Sequence, residues 1–175
     1  MNGHAVVIGG GIGGMLAAHA LAGHFEHVTV LERDSYPPQL NTSASPPASR
    51  KGAPQSRCLH MLMASGGTAF DHLVPGWRQE LVARGAVRFD VSADAAMRFP
   101  TGWLPRAPSG ITTYACSRAL LEGVLRYELA RKPTVWVQER QRVVGLTFDR
   151  LGERVTGVRV SEVPDPTVRD ITAEL

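Results

Sequence analysis

The chain has 175 residues, 43% of them hydrophobic and 20% charged, which suits one domain, or two at most, with a real core. Eighteen glycines and twelve prolines leave it far from a disordered or collagen-like composition, and two cysteines exclude a disulfide scaffold and point to a reducing, cytoplasmic setting. The net charge of +3 comes from 17 Arg and 2 Lys scattered among 16 acids without a run of like charge, a pattern that argues against nucleic-acid binding.

Residues Ala5 to Gly23 contain no Asp, Glu, Lys or Arg, but no Lys or Arg precedes them and glycine fills the run. Neither an export signal nor a membrane span is expected. Ala5-Val6-Val7-Ile8 reads as a strand buried on both faces. After the glycines at 9, 10, 11, 13 and 14, Ile12, Leu16 and Ala20 fall on one helical face, with Ala17 and Leu21 beside them. Val28 to Leu31 is a second strand, so a parallel pair with a right-handed crossover is predicted. Prolines at 37, 38, 46, 47 and 54 make residues 35 to 57 a loop. A helix is predicted over Leu59 to Leu73, with Leu62, Ala69, Phe70 and Leu73 inward and close packing at Gly66-Gly67. A short helix over Trp77 to Arg84, a strand around Val87 to Val91, a loop over 100–110 and a strand over Thr112 to Ala115 follow. Ser117 is a good N-cap for a helix to Arg131, with Leu121, Val124, Leu125 and Leu129 inward. Thr134 to Val137 is a strand, and Arg142–Phe148 with Arg154–Val160 form a hairpin around Gly152. Residues 161–175 show no clear periodicity and read as an irregular tail.

The chemistry lies in Gly9-x-Gly11-x-x-Gly14, placed between the first strand and the first helix. Gly9 allows a sharp turn, Gly11 allows the backbone to approach a pyrophosphate, and Gly14 allows the helix to pack closely on the strands. The helix N-terminus, with Ile12 and Gly13 in its first turn, offers N–H groups to phosphate. Glu32 lies 18 residues after Gly14, where a carboxylate accepts from ribose hydroxyls and repels a 2′-phosphate. This pattern fits FAD or NAD and argues against NADP.

The wider run Gly9-x-Gly11-x-x-Gly14-x-x-x-Ala18-x-x-Leu21, followed by Val28-x-x-x-Glu32-Arg33-Asp34, resembles the N-terminus of FAD-dependent monooxygenases of the para-hydroxybenzoate hydroxylase type. Arg50-Lys51-Gly52-Ala53-Pro54-Gln55-Ser56-Arg57-x-x-His60-x-Leu62-Met63 and Ser117-Arg118-x-x-Leu121-Glu122-x-x-Leu125-Arg126 look like the squalene-epoxidase-like branch, which includes polyether epoxidases. The resemblance covers residues 4 to about 160. It implies an α/β, Rossmann-type FAD-binding domain over residues 1–160, a parallel sheet with crossover helices and a β-hairpin or meander, with 85–115 resembling strands on the substrate side. It also implies that Gly9, Gly11, Ile12, Gly13 and Gly14 hold the pyrophosphate and that Glu32 holds the ribose. Arg33 would lie along the adenine, Arg118 would reach the phosphates or ribityl chain, and Arg50 and Gln55 would lie near the flavin.

On this resemblance the intact enzyme inserts one oxygen atom from O2 into a small organic substrate, with FAD as cofactor and NAD(P)H as electron donor. The family's Asp-Gly and Gly-Asp motifs do not occur in the sequence. The chain therefore reads as a truncated N-terminal part, for which a complementing C-terminal polypeptide would be a partner. A stand-alone FAD or NAD binding module and an inactive remnant are the competing readings. No side chain is marked as a catalytic acid, base or nucleophile, and Cys58-x-His60 with His72 is too sparse for a metal site.

Overall fold

The computed structural model describes residues 3–36 and 52–174. In chain order the elements are β1 (His4–Ile8), α1 (Ile12–Leu21), β2 (His27–Leu31), a 3-10 turn (Pro54–Arg57), β3 (Leu59–Leu62), α2 (Ala64–Leu73), α3 (Trp77–Ala83), β4 (Val87–Asp90) and α4 (Val91–Asp94). They continue with β5 (Arg98–Phe99), β6 (Gly102–Trp103), β7 (Thr112–Ser117), α5 (Arg118–Ala130), β8 (Val135–Gln138), β9 (Gln141–Phe148), β10 (Val155–Glu162) and β11 (Val168–Thr172).

β1, β2 and β8 form a parallel sheet with β2 in the middle. Alternation along the strands sends side chains to two separate cores. Ala5, Val7, Val28 and Val30 face the helices, where they meet Met15 and Ala18 of α1 and Leu121, Val124, Leu125 and Leu129 of α5. Phe70, Val74, Trp77 and Leu81 of the α2–α3 region and Tyr114 of β7 extend this core. On the opposite face Leu31 and Val6 pack against Val143, Val158, Val160 and Ile171 of the antiparallel meander β9-β10-β11. A second antiparallel sheet, β3-β7-β4, joins Leu59–Leu62 to two strands at either end of the 85–115 stretch, which also carries the ribbon β5-β6.

The helix predicted from Ser117 forms as read. Ser117 Oγ accepts from Leu120 N at 3.1 Å, and the four inward residues named from the pattern are buried. Gly66 and Gly67 allow the close packing expected there. A Cβ on Gly66 would lie 2.9 Å from Leu62 Cδ1, and one on Gly67 would lie 3.2 Å from Arg78 Nη2.

Four expectations change. Leu59–Leu62 is a strand paired with β7, so the helix starts only at Ala64, and Ala69 is exposed. The pairing partner lies more than fifty residues away, and no local signal announces it. The buried face of α1 centres on Met15 and Ala18, while Ala17 and Ala20 are exposed. Residues 100–110 contain β6, which turns back on β5. Residues 161–175 are not irregular throughout: β10 runs to Glu162 and β11 closes the meander. A backbone edge that can pair with β10 overrides the weak local pattern here.

Asp90 shows how one side chain fixes a long connection. Its carboxylate accepts from Ser92 N, Ala93 N, Ser109 N, Gly110 N and Ser109 Oγ at 2.7–3.2 Å. Chiefly through Ser109, these donors hold its pKa down to about 2, against an ordinary 3.8. A pKa lowered by folding contributes stability above the ordinary value and loses it on acidification through the folded value. Asp90→Asn is expected to flatten the fall in melting temperature between pH 4 and pH 2, read by thermal denaturation across that range. An unchanged acid limb would remove Asp90 from the account.

Candidate functional site

Where β1 ends, the chain must turn sharply to enter α1. Gly9 takes a positive φ of +91°, and its N–H donates to Leu31 O at 2.8 Å, which ties the turn to the end of β2. Gly14, one turn into α1, sits directly against it. A Cβ on Gly14 would lie 1.8 Å from Gly9 O. Gly11 is the N-cap of α1 in extended conformation, without a side-chain cap, and the first turn carries no acid. The first-turn N–H groups and the helix dipole are therefore not offset by a side chain of their own turn.

Glu32 follows the last residue of β2 and is 6% exposed. Its Oε2 accepts from Gly10 N at 2.7 Å and its Oε1 from Asp34 N at 2.8 Å, so two backbone donors compensate its burial. Both carboxylate oxygens are thus held by the loop backbone.

A cleft of about 360 Å³ opens over these strand ends. It brings together five of the predicted site residues: Gly9, Gly11, Glu32, Arg33 and Arg118. Ile12, Gly13 and Gly14 lie in the first turn of α1 and are not among the residues that line it. Gln55 sits exposed in the 3-10 turn, away from the lining. Arg50 lies outside the described residues. Gln141, Arg142 and Val143 of β9 line the opposite wall, and Gly52 and Ala53 also contribute. The sequence reading missed this wall. The hairpin was readable, but the main-chain bond from Gln141 N to Glu32 O (2.8 Å) that docks it is long-range.

Among the described residues, three guanidinium groups and one carboxylate, that of Glu32, line the cleft. Arg118 is held by a 2.9 Å bond from Nε to the buried Glu122, one helical turn on. Arg33 is more exposed, with Asp34 at 3.8 Å. This donor set suits a ligand carrying both phosphate charge and a hydroxyl pair. The cysteines offer no nucleophile: Cys116 is buried, with its thiol pushed up to about 11 by desolvation, and exposed Cys58 lines no part of the cleft. Among the described residues no group of three His, Cys, Asp or Glu could hold a metal, and no helix is long and apolar enough to cross a membrane.

The parallel strands, glycine turn and crossover helix define a Rossmann-type dinucleotide-binding fold. The model of the NAD(P)-binding Rossmann-like domain family matches residues 7–46. Solved structures share the fold across nearly the whole chain. The probable FAD-dependent monooxygenase pqsL of Pseudomonas aeruginosa aligns with TM-score 0.62 at 16% identity, over 96% of this chain and 40% of that one. p-Nitrophenol 4-monooxygenase PnpA of Pseudomonas putida DLL-E4 aligns at 0.61 and 21%, over 97% and 39%. The myxobacterial FAD-dependent halogenase CndH aligns at 0.65 and 23%, over 98% and 36%. In sequence, Protein Rv3254 of Mycobacterium tuberculosis is 38% identical over 161 residues, covering 89% of this chain and 32% of that protein. The chain therefore spans about a third of the length of the curated relative it matches.

Proposed function

We propose that this chain binds the ADP half of FAD and belongs to a flavoprotein oxidoreductase of the monooxygenase type. The observation that carries this reading is the cleft lined together by Gly9, by Gly11 as the N-cap of α1, by Glu32 and by three arginines. The residues fit the cofactor. Glu32 would hold the ribose diol; Gly11 and the first turn of α1, with Arg118, would hold the pyrophosphate; Arg33 and Arg142 would flank the adenosine. When bound, FAD supplies two-electron transfer and oxygen activation. This chain's own residues bind the nucleotide, fix its direction and shield it from water. On this reading the substrate is a small organic molecule that receives one oxygen atom, and NAD(P)H supplies the electrons. The NAD(P)-binding description of the family matched at residues 7–46 favours a second reading, an ADP-binding module that takes NAD.

The test is a titration of the 175-residue chain with FAD, followed by flavin fluorescence, with NAD as competitor and Gly11→Val as control. Saturable FAD binding that NAD displaces poorly, and that Gly11→Val abolishes, is the expected result. Equal competition by NAD would favour the second reading. A folded chain that binds neither would overturn both.

A further inference from the structure

Resting on the nucleotide reading above, we infer that Tyr36 is a positioning residue that sets the direction of the phosphate-facing backbone of the glycine turn. Tyr36 lies four residues beyond Glu32 and is pinned from three sides. Its N–H donates to Glu139 Oε2 at 2.8 Å, next to the start of β9. The guanidinium of Arg126, on α5, lies 4.3 Å from the centre of its ring, within cation–π range. Its hydroxyl donates to Gly10 O at 2.7 Å.

The N–H of that same Gly10 donates to Glu32 Oε2. Gly10 is thus gripped at both polar groups, by Glu32 on one and by Tyr36 on the other. In a trans peptide the C=O of one residue and the N–H of the next point to opposite sides. Fixing Gly10 O therefore fixes the N–H of Gly11, and Gly11 lines the cleft. This arrangement also explains a glycine outside the GxGxxG signature. A Cβ on Gly10 would lie 1.7 Å from Tyr36 Oη and 3.0 Å from its Cζ. The middle glycine of Gly9-Gly10-Gly11 leaves room for the tyrosine hydroxyl, and Glu32 Cβ, 3.2 Å from the same position, adds a lesser constraint. Arg126, which the sequence offered only as part of a pattern, acquires a role as the support beneath the ring.

Tyr36→Phe keeps the ring and its Arg126 contact and removes only the hydroxyl. Titrated with ADP and with adenosine, the variant is expected to bind ADP five- to tenfold more weakly and adenosine unchanged, because adenosine makes no use of the phosphate-facing N–H. Wild-type affinity for ADP in the variant would overturn the inference. Equal weakening of both ligands would also overturn it, since a merely structural tyrosine acts that way. A wild-type chain that binds no ADP would instead sink the nucleotide reading, and this one with it. A second cycle needs no ligand. Gly10→Ala is expected to lower the melting temperature in the wild type and to cost little in a Tyr36→Ala background. The same loss in both backgrounds would show that Tyr36 does not press on Gly10.

Discussion

Gly14→Ala is expected to lose several degrees of melting temperature and nearly all nucleotide binding, although it adds one methyl group to a helix. Alanine ordinarily favours a helix by about 1 kcal/mol over glycine. Here the methyl would lie 1.8 Å from Gly9 O, 3.0 Å from Gly9 C and 3.4 Å from Val7 Cγ1. Two of these are backbone atoms of a turn already held by the bond from Gly9 N to Leu31 O, so nothing flexible can yield. Either α1 lifts from the sheet or the turn opens. Overpacking of this kind costs about 1–3 kcal/mol, roughly 2–12 °C in a chain of this size. Both ways of relieving the clash move Gly11 and the first-turn N–H groups, so FAD affinity should fall by far more than the stability loss alone explains. Gly13→Ala is the control. A Cβ there meets nothing within 4 Å, and the variant should be as stable as the wild type or up to about 1 kcal/mol more stable. Equal melting temperatures for Gly14→Ala and Gly13→Ala would refute the packing argument.

Glu32→Gln is expected to weaken ADP and FAD by about 10- to 100-fold, in line with the ~1.5–3 kcal/mol carried by hydrogen bonds to a charged group. Glu32 receives N–H donors from both Gly10 and Asp34, one on each oxygen. A glutamine has only one acceptor oxygen, so its NH2 must face one of those donors. The turn then loses an anchor and, on the nucleotide reading proposed above, the ribose loses a charged acceptor. A second measurement separates the two effects. The carboxylate disfavours a 2′-phosphate by charge, so the wild-type preference for NAD over NADP should shrink in Glu32→Gln even where both bind more weakly. An undiminished preference would assign Glu32 to the backbone alone.

The parts of the site that could be read in the sequence are those imposed by local backbone geometry. Gly9 and Gly14 stand at a fixed offset because a turn and a helix contact each exclude a side chain, and Glu32 follows from the length of the crossover. Ser117 and the inward face of α5 were legible because capping and helical periodicity are properties of a dozen adjacent residues. What escaped depends on contacts distant in sequence. Leu59–Leu62 carries apolar residues that suit a helix or a strand, and β7 decides between them. Val168–Thr172 becomes a strand because β10 presents an edge. Arg142 enters the cleft because Gln141 N finds Glu32 O. Gly10 looks like a spacer between two signature glycines, and the hydroxyl of Tyr36, with Glu32 Cβ beside it, shows why it is a glycine.

The central strand β2 has β1 on one side and β8 on the other, and Val28 pairs with Val135 across more than a hundred intervening residues. During synthesis at roughly 5–20 residues per second, β2 therefore waits on the order of 5–20 s for its second neighbour. Throughout that interval one side of His27–Leu31 exposes unpaired N–H and C=O groups beside apolar side chains, the condition in which nascent strands associate with the wrong partner. The β3–α2–α3–β4–β7 region is made within the same interval, and α5 follows it directly. Slower decoding of codons 32 to 138 is therefore expected to lower the yield of correctly folded chain.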